Sequence, residues 1–260
     1  MTVTWRCAAS ISAKRWRDET LAGRGRTAYL SRMSETLLLA AIIIPGLIIA
    51  IVFHEVAHGW TALALGDPTA KEQRRLSFNP IRHVDPVGTL LVPGFLLAVG
   101  GPVFGWAKPV PVTKQRLDNP RFGMMAVAAA GPGMNLILAF ASALVLGVAA
   151  NAGSLQALGS GEPTLLAQGL FYFILINVFL AFFNLLPIPP FDGSHILEGL
   201  LPPSMAEYYE KLRPIGMALF FGLIALTWFA PQLGVIENTV GPPVEWAMDR
   251  FIGLAQAVAG

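Results

Sequence analysis

Apolar runs long enough to cross a bilayer alternate with short polar stretches along most of the chain. The first, residues 35–65 (ETLLLAAIIIPGLIIAIVFHEVAHGWTALAL), exceeds the roughly 20 residues that a helix needs to span a hydrocarbon core, and tilt absorbs the surplus. Pro45-Gly46 predicts a kink within it. Full-length runs recur at about 122–150, 165–186 and 214–230. Residues 87–106 are equally apolar but are interrupted by Pro93-Gly94, Gly100-Gly101-Pro102 and Gly105. Irregular backbone at membrane depth must be buried in protein or face a water-filled cavity, so this segment predicts a re-entrant turn. The pattern as a whole predicts an all-α polytopic membrane protein with about four full crossings. A short extended or β-hairpin stretch is expected where GWAKPVPV (105–112) interrupts the apolar character.

Composition agrees. Mean hydropathy is +0.59, with 54% hydrophobic and 13% charged residues, against about 25% charged in soluble domains. A soluble enzyme, a disordered chain and a nucleic-acid binder are thereby excluded. The single cysteine, Cys7, rules out an internal disulfide scaffold and a cysteine metal site.

The placement of charge orients the spans. The loops after the first span, after segment 87–106 and after the 165–186 span hold ten of the 18 Lys and Arg residues. The 151–164 loop and the C-terminal tail hold only Arg250. Positive residues favour the cytoplasmic side, so the first span runs outside to inside, and segment 87–106, basic on both flanks, turns back. The other seven basic residues lie in 1–32, on the side this topology places outside. That segment lacks apolar periodicity and any signal-peptide core. It is expected to be a disordered or misassigned extension, with the functional chain starting near Met33. Residues 33–231 are then the membrane domain, and 232–260 a tail in which 244–258 fits an interfacial helix.

The chemistry concentrates in the first span, where His54-Glu55-Val56-Ala57-His58 forms an H-E-x-x-H motif. Residues i and i+4 of a helix share a face, so the two imidazoles can bind one metal ion. Glu55, one residue off that line, suits a general base better than a ligand. Two satisfied histidines and a surface glutamate would be the bland alternative, but ionisable groups within a span are costly and mark function by default. A catalytic zinc site usually takes a third protein ligand. His83, in a basic loop, reads more readily as a solvated histidine. Asp192 is the better candidate: it follows Pro187, Pro189 and Pro190 at the cytoplasmic end of the 165–186 span, at the depth expected for the motif.

Three elements in order, HEVAH (54–58), AGPGMN (130–135) and NLLPIPPFDG (184–193), resemble the signatures of the site-2 proteases, the intramembrane zinc metalloproteases. NPIRHVDPVGT (79–89) and GWAKPVPV are similar to stretches of the compact prokaryotic members, and no loop is long enough for a PDZ-like or CBS-like insert. Phe191 stands where the family commonly has leucine, keeping the apolar bulk. The resemblance covers about residues 33–230. It implies one zinc ion on His54, His58 and Asp192, Glu55 as base, and Asn135 near the metal. Asn135 can donate to a substrate carbonyl or developing oxyanion, or bond between closely packed helices. Asn184 has the same two options. Lys108, in the extended stretch, is a candidate substrate contact by strand addition, the other option being that the stretch is only a hairpin at the membrane surface. The implied substrate is a transmembrane protein, cut in or beside the bilayer of the cell membrane from the cytoplasmic side. A non-proteolytic membrane metal-binding or transport protein is the alternative. It would need polar residues along a path to both faces, whereas the ionisable residues here cluster at one depth.

Overall fold

The computed structural model describes residues 25–98, 105–153 and 164–260. Residues 1–24, and with them most of the expected N-terminal extension, lie outside the described residues. The chain divides into one unit at Met1–Ala41 and a second at Ile42–Gly260; the core and the site described below belong to the second.

The architecture is all-α: α1 (Gly25–Ala64), α2 (Val92–Ala98), α3 (Pro120–Asn151), α4 (Leu165–Asn184), α5 (Asp192–Leu200), α6 (Pro203–Glu210), α7 (Gly216–Phe229) and α8 (Gly241–Ala259). Among the described residues, four segments are long and apolar enough to cross a membrane: Leu37–Ala64, Pro120–Asn151, Leu165–Asn184 and Pro203–Phe229. The protein is accordingly a multi-pass membrane protein.

Local chemistry sets the boundaries. Gly66, at φ +96°, ends α1 in a left-handed conformation that favours glycine. Asn119 opens α3: its side chain accepts from the Phe122 N–H at 3.2 Å, and Pro120 fills a first-turn position that needs no N–H. Thr164 caps α4 through the Ala167 N–H at 3.3 Å. Pro187, Pro189 and Pro190 keep the chain from continuing as helix before α5.

The core lies where α3, α4 and α8 meet. Ala139, Ala143, Ile174, Val178, Val244, Ala247 and Met248 are buried together. A Cβ on Gly147 would stand 2.5 Å from the Ala255 carbonyl oxygen, so α8 crosses α3 at a separation only glycine permits. The C-terminal tail thus packs one face into the protein. Ile137, Phe140, Val145, Val148 and Phe171 are exposed, as suits side chains facing lipid.

Segment 87–106 is helical at its start, through Pro86–Leu91 and α2. Residues 99–104 of the segment expected to be re-entrant lie outside the described residues. The expected hairpin is not formed: no strand occurs among the described residues. Residues 105–112 instead make an irregular strap bonded along one side. Trp106 N–H donates to the Gly88 carbonyl at 3.0 Å and Lys108 N–H to the His83 carbonyl at 2.8 Å. The buried Arg75 donates to the Lys108 carbonyl at 2.8 Å. Pro109 and Pro111 carry no N–H, so a complete ladder cannot form on the other side.

Candidate metal centre and active site

His54 and His58 sit one turn apart on α1, and Asp192 is the first residue of α5. Their donor atoms converge. His54 Nε2 lies 3.1 Å and His58 Nε2 3.4 Å from Asp192 Oδ2, and the two Nε2 atoms are 3.0 Å apart. Both imidazoles are buried.

The hydrogen bonds around these rings define what the three atoms can do. His58 Nδ1 is 2.7 Å from the Val127 carbonyl. A carbonyl only accepts, so Nδ1 carries the proton and Nε2 presents a lone pair. His54 Nδ1 is 2.6 Å from Asn135 Oδ1. The Asn135 amide is oriented by its own donations, at 3.3 Å to the Ala50 carbonyl and 2.8 Å to Asn177 Oδ1. Asn177 is oriented in turn by donating to the Phe173 carbonyl at 2.8 Å. His54 therefore also has its proton on Nδ1 and a lone pair on Nε2. With both rings neutral, two lone pairs and a carboxylate oxygen face one point. Asp192 Oδ2 is buried without a hydrogen-bond partner. Such a set repels itself unless a cation lies within it.

Zinc fits. Tetrahedral ligands at zinc distances of about 2.0–2.2 Å lie about 3.3–3.6 Å from one another, close to the spacing observed. Two imidazoles and a carboxylate are a usual catalytic donor set, and Nδ1–H bonds to a carbonyl and an amide are the outer contacts that fix metal-binding histidines.

Glycine makes room for the rings. A Cβ on Gly131 of α3 would come within 2.5 Å of His58 Cε1 and Nε2 and 2.6 Å of His54 Cε1. Gly131→Ala is expected to lower zinc affinity at least about tenfold. Alanine favours a helix by ~1 kcal/mol over glycine, so weakening of α3 would not account for the loss. Metal content per chain after gel filtration checks it; a full complement of zinc would show that the rings have slack.

Other candidates fall as follows. Glu55 is partly exposed, and its Oε2 accepts the Val110 N–H of the strap at 2.7 Å. Asn135 is fully buried, with its amide engaged by three neighbours. Asn184 donates to the Leu180 carbonyl of its own helix at 2.9 Å. Lys108 is exposed, and its backbone is bonded to His83 and Arg75. Asn177 was not singled out by sequence reasoning, although an amide in the middle of an apolar run was the available signal. Close to Asp192 along α5, burial and the Arg213 charge push the His195 imidazole down to about 4, so it is neutral at pH 7. Burial would raise the Glu198 carboxyl, but Lys114 and Arg213 hold it below the ordinary carboxylate range.

Comparison with known proteins bears on this arrangement. Residues 160–224, which contain the Asp192 motif, match "Peptidase family M50". The chain is 40% identical over 212 residues to "Putative zinc metalloprotease YwhC" of Bacillus subtilis, covering 82% of this chain and 90% of that protein. It is 28% identical over 183 residues to "Putative zinc metalloprotease Rip2" of Mycolicibacterium smegmatis, covering 70% of this chain and 66% of that protein. The Mycobacterium tuberculosis (strain H37Rv) protein of the same name is 29% identical over 194 residues, 74% of this chain and 68% of its own length. No solved structure matches the chain. With a relative of this identity spanned almost end to end, and with the motif histidines and Asp192 brought to one point, the chain belongs to peptidase family M50, the site-2 protease family of zinc metalloproteases.

Proposed function

We propose that the protein is an intramembrane zinc metalloendopeptidase, carrying one zinc ion on His54, His58 and Asp192 and hydrolysing peptide bonds within or beside transmembrane segments of other membrane proteins. The observation that carries this reading is the convergence of the three donor atoms where α1, a membrane-crossing helix, meets α5. Zinc, when bound, supplies Lewis acidity that activates water near neutral pH and polarises a carbonyl.

The rest is done by the chain. Glu55 takes a proton from the attacking water as the water oxygen bonds to the scissile carbonyl carbon. As the carbon–nitrogen bond breaks, Glu55 returns that proton to the leaving amine. The Val110 N–H, bonded to one carboxylate oxygen, orients Glu55 and leaves its other oxygen for the proton. Asn135 is a positioning residue: its carbonyl fixes the His54 ring, and its N–H groups are spent on Ala50 and Asn177. The strap lies beside Glu55 with its Trp106, Lys108 and Val110 N–H groups turned to the protein. Its other side offers carbonyls, those of Pro109 and Pro111 among them, to an unwound substrate, with Lys108 beside them. Asn184 ends α4 before the Asp192 turn, with its side-chain amide donating to the Leu180 carbonyl.

The basic loops support a cytoplasmic-side active site in the cell membrane. Comparative membrane proteomics of cells carrying the wild type or Glu55→Gln tests the reading. It predicts fragments ending within a span only with the wild type; identical fragment sets would remove it.

A further inference from the structure

The short helix that delivers Asp192 is held from several directions. At its start, a Cβ on Gly193 would fall 2.1 Å from the Leu185 carbonyl oxygen, so α5 abuts the turn that precedes it. At its end, Arg121, from the first turn of α3, donates to the Gly199 carbonyl at 3.0 and 3.2 Å and also to Leu201. A guanidinium there meets the unsatisfied carbonyls and the negative end of the helix dipole. Along its side, Glu198 is buried and faces two cations. Lys114 Nζ donates to Oε1 at 2.7 Å and Arg213 Nη2 to Oε2. The same Arg213 nitrogen reaches His195 Nδ1 at 2.8 Å. Asp192, His195 and Glu198 recur every three residues, which keeps them near one side of the helix.

These contacts come from separate parts of the chain. Lys114 lies just beyond the strap, Arg121 opens α3, and Arg213 precedes α7. Exposed ion pairs contribute little. Glu198 differs because it is buried, and removing it would take from Lys114 and Arg213 the carboxylate to which both donate; among the described residues Lys114 would keep Glu210, at 4.0 Å.

We propose that Glu198 is a positioning residue for the metal centre: by drawing Lys114 and Arg213 onto α5 it sets where the Asp192 carboxylate stands relative to His54 and His58. The strap and the last span are thereby coupled to the metal ligand through one carboxylate. The inference rests on the zinc reading of the site.

The test is zinc affinity of the full chain in detergent or bilayer discs, by competition with a chromophoric chelator. Helix content and gel filtration establish folding. Glu198→Gln is expected to weaken zinc about 10- to 100-fold, the range for groups that orient metal ligands, with helix content unchanged. Arg213→Gln should weaken it by a smaller factor. Excess zinc should restore cleavage to Glu198→Gln, whereas Glu55→Gln should stay inactive however much zinc is added; a defect confined to folding would not produce that split. Wild-type affinity in folded Glu198→Gln would overturn the proposal. If that variant does not fold, wild-type affinity in Arg213→Gln overturns it instead. Absence of zinc binding by the wild type would remove the zinc reading and this inference with it.

Discussion

Replacing Asp192 with alanine should empty the metal centre. The carboxylate is the only anion among the three converging donors, and its Oδ2 lies within 3.4 Å of both imidazole nitrogens. Outer contacts of a metal ligand alone are worth about 10- to 100-fold in affinity, so losing the ligand itself should cost more than about 100-fold. Cleavage should fall to background, and excess zinc should restore little of it. The fold should survive, because α5 is also held through Gly193, Glu198 and Arg121. Metal analysis of the purified variant decides the matter. Full zinc with Asp192→Ala would mean that another group is the third ligand.

Glu55→Gln should separate metal binding from turnover. The glutamine is nearly isosteric, and its amide oxygen can still accept the Val110 N–H that the carboxylate accepts at 2.7 Å. Zinc content should therefore match the wild type. Proton transfer should not survive, because an amide does not take up the water proton near neutral pH; loss of a positioned general base costs about 10²- to 10⁴-fold in rate. Persistence of more than about a tenth of wild-type cleavage would show that the proton goes elsewhere. Read together, the two variants distinguish a failed metal site from a failed base.

The three converging residues were legible because each stands out against its surroundings. Two histidines and a glutamate inside an apolar run have few explanations, and Asp192 follows a proline series that ends a span at the matching depth. The number of crossings was legible for the same reason: the apolar runs are long and stand apart from the polar stretches between them. The tertiary partners were not. Asn177 and Asn184 are seven residues apart on α4, about two turns, so they share a face and periodicity cannot rank them. Depth separates them: Asn177 meets Asn135 across the helix interface, whereas Asn184, at the last turn, bonds back to Leu180. Lys114, Arg121 and Arg213 were legible only as topological charges. Their contacts to α5 bridge from 15 to 84 positions in sequence, and no local pattern announces a buried carboxylate waiting for them. Residues 105–112 were legible as extended because of their prolines, but those prolines also remove the donors that a regular hairpin would need.

The central claim, hydrolysis of a segment that the membrane itself contains, is met most directly by reconstitution. Purified protein in bilayers would be given a fluorescent single-span test protein with either a Gly-Asn or a Leu-Leu pair in the cytoplasmic half of its span. Products would be mapped by mass spectrometry, with Glu55→Gln as control. A helix hides its carbonyls in i to i−4 hydrogen bonds, and unbonded backbone in hydrocarbon costs several kcal/mol per group. Attack therefore requires local unwinding, which glycine and asparagine make easier than leucine. The account predicts cuts at or beside the Gly-Asn pair, several-fold slower cutting of Leu-Leu, and none with Glu55→Gln. Intact spans beside efficient cleavage of a soluble unfolded peptide would contradict it, and equal cutting of the two pairs would remove unwinding from the mechanism.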